Sequence, residues 1–295
     1  MVKNPLLLFS KGIAMGSADV VPGVSGGTIA FITGIYDELL DSIKKLGPAA
    51  LKVWFKEGFF AFWHFINGPF LLTLGCGILL SLFSLAKLIN WLLVTYPIPL
   101  WSFFMGLILV SVWHMLRQTP SINVCSLGAL AVGAVFAWWF SGMSAMQVEQ
   151  LRLITFFVCG AIAICAMILP GISGSFLLLL LGVYEPVLNA VSTINLPVLG
   201  VFAAGCMTGL MLFSRLLSWL LTHARNATFG LLTGMMLGSV NKLWPWKQPA
   251  TDTLVNILPT TYQEMTGEPS QLAIAAIMAL LAITFVLTIE WIAER

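Results

Sequence analysis

Six apolar stretches, at roughly residues 69–95, 98–117, 122–142, 197–222, 228–244 and 270–290, could each cross a bilayer as a helix, which takes about 20 residues. The fifth is short and either runs past Trp244 or begins earlier. Two further regions, 11–43 and 153–191, are apolar but interrupted, at Pro22-Gly23-Val24-Ser25-Gly26-Gly27 and at Pro170-Gly171-Ile172-Ser173-Gly174-Ser175. Proline removes a backbone donor and glycine loosens a helix, so each region predicts two helical arms joined by a non-helical tip. The arm from Lys11 to Val21 rises only about 16 Å and cannot cross alone. Both regions therefore read as re-entrant hairpins. Residues 48–66 mix Lys52, Lys56 and Glu57 with Trp54, Phe55, Phe59, Phe60, Phe62 and Trp63, the pattern of an amphipathic helix lying in a membrane interface. The 245–269 segment is polar and carries prolines.

Composition sharpens this picture. Of 295 residues, 59% are hydrophobic and only 9% charged, and mean hydropathy is +0.97, against about 25% charged in ordinary soluble domains. No soluble fold of this size hides so much apolar surface, which predicts an all-α polytopic protein forming one integral membrane domain. A net charge of +2 without a basic cluster excludes a nucleic-acid partner. The five cysteines lie in apolar runs and read as small core residues. The short run Leu6 to Phe9 lacks a cleavage site behind it and does not read as a signal peptide. Lysine and arginine then set orientation. Lys3, Lys11, Lys44, Lys45, Lys52, Lys56, Arg117, Arg225 and Arg295 fall on one side, against Arg152, Lys242 and Lys247 on the other. That bias predicts two cytoplasmic termini, whether the hairpins are re-entrant or cross fully twice.

The chain repeats itself. Pro22, Gly23, Ser25, Gly26, Gly34, Tyr36 and Leu40 align with Pro170, Gly171, Ser173, Gly174, Gly182, Tyr184 and Leu188 at a constant offset (170 − 22 = 148). Further on, Lys87-Leu-Ile-Asn-Trp-Leu-Leu93 aligns with Arg215-Leu-Leu-Ser-Trp-Leu-Leu221, and Gly106 to Val112 with Gly234 to Val240, at offset 128 (215 − 87). The difference is mostly the extra interfacial helix of the first half. Each half, 1–148 and 149–295, is one hairpin plus three spans. Three is odd, so the second half enters the membrane from the opposite side. This is the inverted-repeat plan of many transporters, with the site at the midplane where broken helices meet. An ancient duplication that merely builds a bundle is the alternative, but Pro-Gly-x-Ser-Gly is costly at membrane depth unless it lines a cavity.

Helices begin after each tip, and their first amides point back toward it with partial positive charge. Glycines admit an anion to the backbone and hydroxyls add donors, as in phosphate sites. The candidate phosphate donors are Ser25, Gly26, Gly27, Thr28, Ser173, Gly174 and Ser175. Tight backbone packing is the other use of such small residues. Lys87 and Arg215, the basic residues well inside spans, are superimposed by the repeat, and a central cation costs about 2.5–3.5 kcal/mol. Either they meet an anion or they snorkel to the headgroups. Asp19, whose repeat partner is Met167, breaks the symmetry beside the first tip. It is a candidate for coupling to a proton or sodium ion, for gating, for pairing with Lys87 or Arg215, or for capping a helix end. Asp37 and Glu185 lie about 20 Å along the helix from their tips, which suits an interfacial coupling or gating role.

Enzyme readings fare poorly. Gly23-Val24-Ser25-Gly26 and Gly171-Ile172-Ser173-Gly174 match the Gly-x-Ser-Gly of intramembrane serine proteases, but His64, His114 and His223 offer no base at mid-membrane. Clustered metal ligands and a nucleotide-binding loop are absent from the sequence. The residues alone thus predict a transporter of an anion, without metal, cofactor or catalytic residue.

The run Gly12-Ile-Ala-Met-Gly-Ser-Ala-Asp19-Val-Val-Pro-Gly-Val-Ser-Gly-Gly-Thr28, followed by Gly34-Ile-Tyr-Asp-Glu38, resembles the signature of the bacterial undecaprenyl-phosphate translocases called PopT. Pro170 to Ser175 with Gly182-Val-Tyr-Glu185 fits as well, and the resemblance covers nearly the whole chain. It implies a translocase, or flippase, that returns the lipid carrier undecaprenyl phosphate from the outer to the inner leaflet of the cytoplasmic membrane, in the service of peptidoglycan and other envelope polymers. Membrane lipid and undecaprenyl phosphate are then the partners. A secondary transporter of a small soluble anion using the same site is the alternative.

Overall fold

The computed structural model describes residues 4–20, 25–119, 121, 123–143, 152–249 and 254–293. Pro22, Gly23 and Val24 of the first tip, and Lys3 and Arg295 of the orientation count, lie outside these. In chain order the helices are α1 (Pro5–Asp19), α2 (Gly26–Ile32), α3 (Tyr36–Lys45), α4 (Pro48–Glu57), α5 (Phe59–Phe65), α6 (Gly68–Thr95), α7 (Pro97–Gln118) and α8 (Val124–Ser141). The second half continues with α9 (Leu153–Ile168), α10 (Gly174–Leu180), α11 (Tyr184–Ser192), α12 (Leu196–His223) and α13 (Arg225–Leu243). Strands β1 (Lys247–Pro249) and β2 (Leu254–Asn256), then α14 (Pro259–Thr266) and α15 (Leu272–Ala293), complete the order.

Local chemistry sets these boundaries. The Asn4 side chain accepts from the Leu6 and Leu7 amides, and Pro5 opens α1, where a missing N–H is harmless. Asn123 and Ser126 cap α8 reciprocally. Both interruptions foreseen in the hairpins are present, and α2 and α10 start at Gly26 and Gly174. Each return arm breaks once more, at Gly34 (φ 69°) and Gly182 (φ 68°). A Cβ at Gly34 would meet nothing within 4 Å, so the left-handed backbone, not space, calls for glycine there. The axes of α10 and α11 bend by 106°. Asp37 and Glu185 therefore do not ride a straight helix from the tips; each sits in the first turn of a separate helix. The single interfacial helix expected over 48–66 is two helices, α4 and α5, parted at Gly58 (φ 87°).

The protein is helical and carries several helices fit to span a membrane. Among the described residues, α6 (through Leu85), α7, α8 and α12 meet the length and apolarity of a span, and the bent pair α10–α11 gives a possible fifth, broken or re-entrant. At the expected fifth span α13 forms, but Asn226, Thr233, Ser239, Asn241 and Lys242 make it too polar to qualify by composition. The described apolar part of α15, Leu272–Thr288, is shorter than a full span. Cys159 is buried as expected, whereas Cys76 and Cys125 are exposed on α6 and α8 rather than in a core.

Two compact units form, each drawing on both halves of the sequence. The first comprises residues 1–85 and 145–225, so it holds α1 to α5, the start of α6, and α9 to α12. The second comprises residues 86–144 and 226–295, with α7, α8, α14, α15, the strand pair and nearly all of α13. Inside the first unit, α9 packs on α12, where a Cβ at Gly205 or Gly209 would fall 2.1 Å from the Phe157 carbonyl oxygen or 2.4 Å from that of Ala161. Inside the second, Gly230, Gly234 and Gly238 place α13 backbone directly on the carbonyls of Ser126, Leu130 and Ala134 of α8. Glycine every fourth residue lets apolar helices approach closely where lipid provides no hydrophobic drive. The segment after α13, expected from its polarity and prolines to be a loop outside the membrane, carries β1, β2 and α14 and is tied by indole donors. Trp244 Nε1 donates to the Ile257 carbonyl and Trp246 Nε1 to that of Ser270, both at 2.8 Å.

Gly234→Leu should lower the melting temperature of the purified protein in detergent by several degrees, an overpacking cost of about 1–3 kcal/mol. Gly75→Ala, a site with nothing within 4 Å, should not lower it. Equal melting of Gly234→Leu and the parent would contradict the close packing of α8 and α13.

Candidate functional site

The candidate site lies in the first unit, where the two hairpins meet. Helix α2 has only seven residues, so its end groups are a large fraction of its backbone polar groups and need partners. At its amino end Ser25 is the N-cap: its Oγ accepts from the Gly27 amide at 3.1 Å, and the Thr28 amide donates to the Ser25 carbonyl at 2.9 Å. The Gly26 amide donates to Asp19 Oδ1 at 2.7 Å. At its carboxyl end the Lys11 ammonium donates to the Thr33 carbonyl at 2.6 Å. Helix α1 thus presents an anion to the positive end of α2 and a cation to its negative end, the stabilising sense for a helix dipole. The spacing suits this: Lys11 and Asp19 are about 12 Å apart along α1, close to the length of α2.

The second break is held by the first hairpin. Helix α9 ends at Ile168 and leaves carbonyls without helical partners. Ser25 Oγ donates to the Met167 carbonyl at 3.2 Å, and Tyr36 OH donates to the Ile168 carbonyl at 3.0 Å. The Gly171 amide in turn donates to Thr28 Oγ1 at 3.1 Å. Ser25, Thr28 and Tyr36 are all deeply buried, so these bonds form away from water, where an unpaired group costs most. Within the second tip, Ser173 Oγ accepts from the Phe176 amide and shares a hydrogen bond with Ser175 Oγ at 2.8 Å.

Glycines permit close packing at both breaks, and at Gly27 the packing is across them. A Cβ at Gly26 would lie 2.6 Å from Asp19 Oδ2, one at Gly27 2.8 Å from the Ile168 carbonyl oxygen, and one at Gly174 2.4 Å from Met167 Cγ. In this conformation the space above each glycine is taken by the protein itself. Above Gly26 the occupant is a carboxylate, the chemistry of an anion. The repeat makes the contrast plain: positions 159 and 167 (11 + 148 and 19 + 148) are Cys159 and Met167, so α10 has neither charge from its preceding helix.

Of the residues singled out by sequence, Asp19, Ser25, Gly26, Gly27, Thr28, Ser173, Gly174 and Ser175 are gathered in this unit. Arg215 belongs to the same unit but is exposed on α12, with its guanidinium against Gly47. Lys87 is exposed on α6 and belongs to the second unit. Asp37 and Glu185 are exposed in the first turns of α3 and α11, where acids suit the helix dipole. Sequence reasoning missed Lys11 and Tyr36. Lys11 was counted only for orientation, although its repeat partner is a cysteine and its distance from Asp19 matches α2. Tyr36 entered only as a repeat identity and as part of the signature run.

Residues 15–257 match the family described as undecaprenyl phosphate translocase-like. A relative from Vibrio cholerae serotype O1, named polyprenyl-phosphate transporter, is 51% identical over 99% of this chain and 98% of its own length. A second, from Staphylococcus aureus and of the same name, is 34% identical over 80% of this chain and 84% of its own. No solved structure matches.

Tyr36→Phe keeps the ring beside Phe31 but orphans the Ile168 carbonyl. Such a loss costs about 1–3 kcal/mol, which should appear in denaturant unfolding of the purified protein. Unchanged unfolding would contradict the cross-hairpin bond.

Proposed function

Because the chain belongs to the undecaprenyl phosphate translocase-like family, we propose that it returns undecaprenyl phosphate from the outer to the inner leaflet of the bacterial cytoplasmic membrane. It is a transporter and not an enzyme. The two halves are inverted repeats whose hairpins are re-entrant, and both termini are cytoplasmic. The phosphate head binds at the paired tips, with Ser25, Gly26, Gly27, Thr28, Ser173, Gly174 and Ser175 as donors and Lys87 and Arg215 as countercharges along its route. The polyprenyl tail stays in lipid. Rocking of one repeat against the other exposes the head to each leaflet in turn.

One observation carries this reading: the Asp19 carboxylate seated on the Gly26 amide. A carboxylate and a phosphate ask for the same donors. Asp19 is therefore an internal stand-in that keeps the first tip satisfied when the substrate is absent. Arriving phosphate displaces it, and neutralisation of Asp19 by a proton or sodium ion lowers the cost of that exchange. The second tip, with Met167 at the matching position, has no such carboxylate and receives the phosphate through Ser173 and Ser175.

The test is leaflet-to-leaflet movement of undecaprenyl phosphate in proteoliposomes. Ser173→Ala removes one hydrogen bond, about 1 kcal/mol, and should weaken binding about fivefold. Lys87→Met and Arg215→Gln should each abolish movement while the protein still folds. Asp19→Asn should lose any dependence on a proton or sodium gradient. If all four move the lipid at the parent rate, the tips and cations have no part in transport. If the parent moves inorganic phosphate and not the lipid, the substrate is a small soluble anion.

A further inference from the structure

Arg215 does not stand alone on α12. Ser218 is three residues further on, hence a neighbour on the same helix face, and its Oγ accepts from Lys44 Nζ of α3 at 3.0 Å. The Arg215 guanidinium lies against Gly47, just past the end of α3, so close that a Cβ there would fall 2.7 Å from Nη2. Two cations and a hydroxyl from α3 and α12 thus share one patch in the first unit. Neither cation makes an ion pair among the described residues, although Asp41 is only one turn before Lys44 on α3. Like charges brought together without a carboxylate repel, and a bound dianion would remove that repulsion.

Position identifies the anion. Helix α12 has 28 residues, about 42 Å of rise, against a hydrocarbon thickness of about 30 Å. Arg215 is eight residues from the carboxyl end, about 12 Å, which brings it within about a turn of the hydrocarbon boundary. Lipid phosphates lie there. A phosphomonoester carries about −1.5 to −2 charges at neutral pH, whereas the phosphodiester of an ordinary phospholipid carries one. Two cations match the first.

We propose that Lys44, Ser218 and Arg215 form a second phosphate site, selective for a lipid phosphomonoester, that holds the headgroup at the membrane boundary beside the lysine-rich 44–56 segment. This rests on the reading that the substrate is a polyprenyl phosphate and adds a station for it apart from the tips. Lys44 and Ser218 become specificity residues, and Arg215 acts here rather than at depth.

Amine-reactive footprinting of the full chain in zwitterionic nanodiscs tests this, with Lys52 as internal reference. Undecaprenyl phosphate should slow Lys44 labelling at least fivefold relative to Lys52. Phosphatidic acid, a phosphomonoester without the polyprenyl tail, should do the same, and phosphatidylglycerol and inorganic phosphate should not. Arg215→Gln and Ser218→Ala should each reduce the protection. The tip variant Ser173→Ala should slow transport and keep this protection in full. Equal protection by phosphatidylglycerol, or protection untouched by Arg215→Gln, would overturn the site. A parent protein that moves no undecaprenyl phosphate defeats the functional reading, while protection by phosphatidic acid still supports the boundary site.

Discussion

The first unit depends on a single constraint: helices broken in an apolar surrounding must satisfy the backbone groups that the break sets free. Ser25, Thr28 and Tyr36 are buried, so other parts of the chain must do what water does elsewhere. Ser25, Thr28 and Tyr36 bond to Met167, Gly171 and Ile168 across the hairpins. The breaks consequently hold each other in place. Glycine at 26 and 27 follows from the same constraint, because a Cβ would strike the Asp19 carboxylate that completes the Gly26 amide or the freed carbonyls of Met167 and Ile168.

The two breaks share a repeated sequence but differ in charge. Lys11 and Asp19 bracket α2; their counterparts Cys159 and Met167 bring no charge to α10. One short helix is neutralised by its own hairpin and the other is not. A transporter that carries an anion needs a state without cargo that is still satisfied internally. A carboxylate on the Gly26 amide is well suited to that state, and in the proposed mechanism phosphate displaces it, exchanging one charge-assisted bond for another. Arg215, held against Gly47, serves the proposed boundary site instead.

Much of the architecture was legible in the sequence. Pro-Gly-x-Ser-Gly located both breaks, because proline and glycine act on the backbone directly, and the starts of α2 and α10 followed. The second bends at Gly34 and Gly182 were not read, although both glycines were counted as repeat identities. A left-handed turn needs one residue and leaves no mark on hydrophobic periodicity. Gly58 hid the division of α4 from α5 in the same way. The polar residues of α13 were averaged away by its apolar neighbours. Asp19 was legible as a charge that breaks the symmetry, but its partner was not, since the bond to Gly26 crosses a tip whose course no local pattern fixes. Lys11 had a signal of the same kind, and orientation counting absorbed it.

The exchange at the first tip is open to one direct measurement: the dipolar coupling between 13C-labelled Asp19 Cγ and the 15N-labelled Gly26 amide in solid-state magnetic resonance of the protein in lipid. The Gly26 N to Asp19 Oδ1 distance of 2.7 Å implies a measurable coupling in the lipid-only sample. If Asp19 stands in for the substrate, saturating undecaprenyl phosphate will abolish that coupling and bring its 31P nucleus into contact with the Gly26 amide. A coupling that persists unchanged with the lipid bound would contradict it.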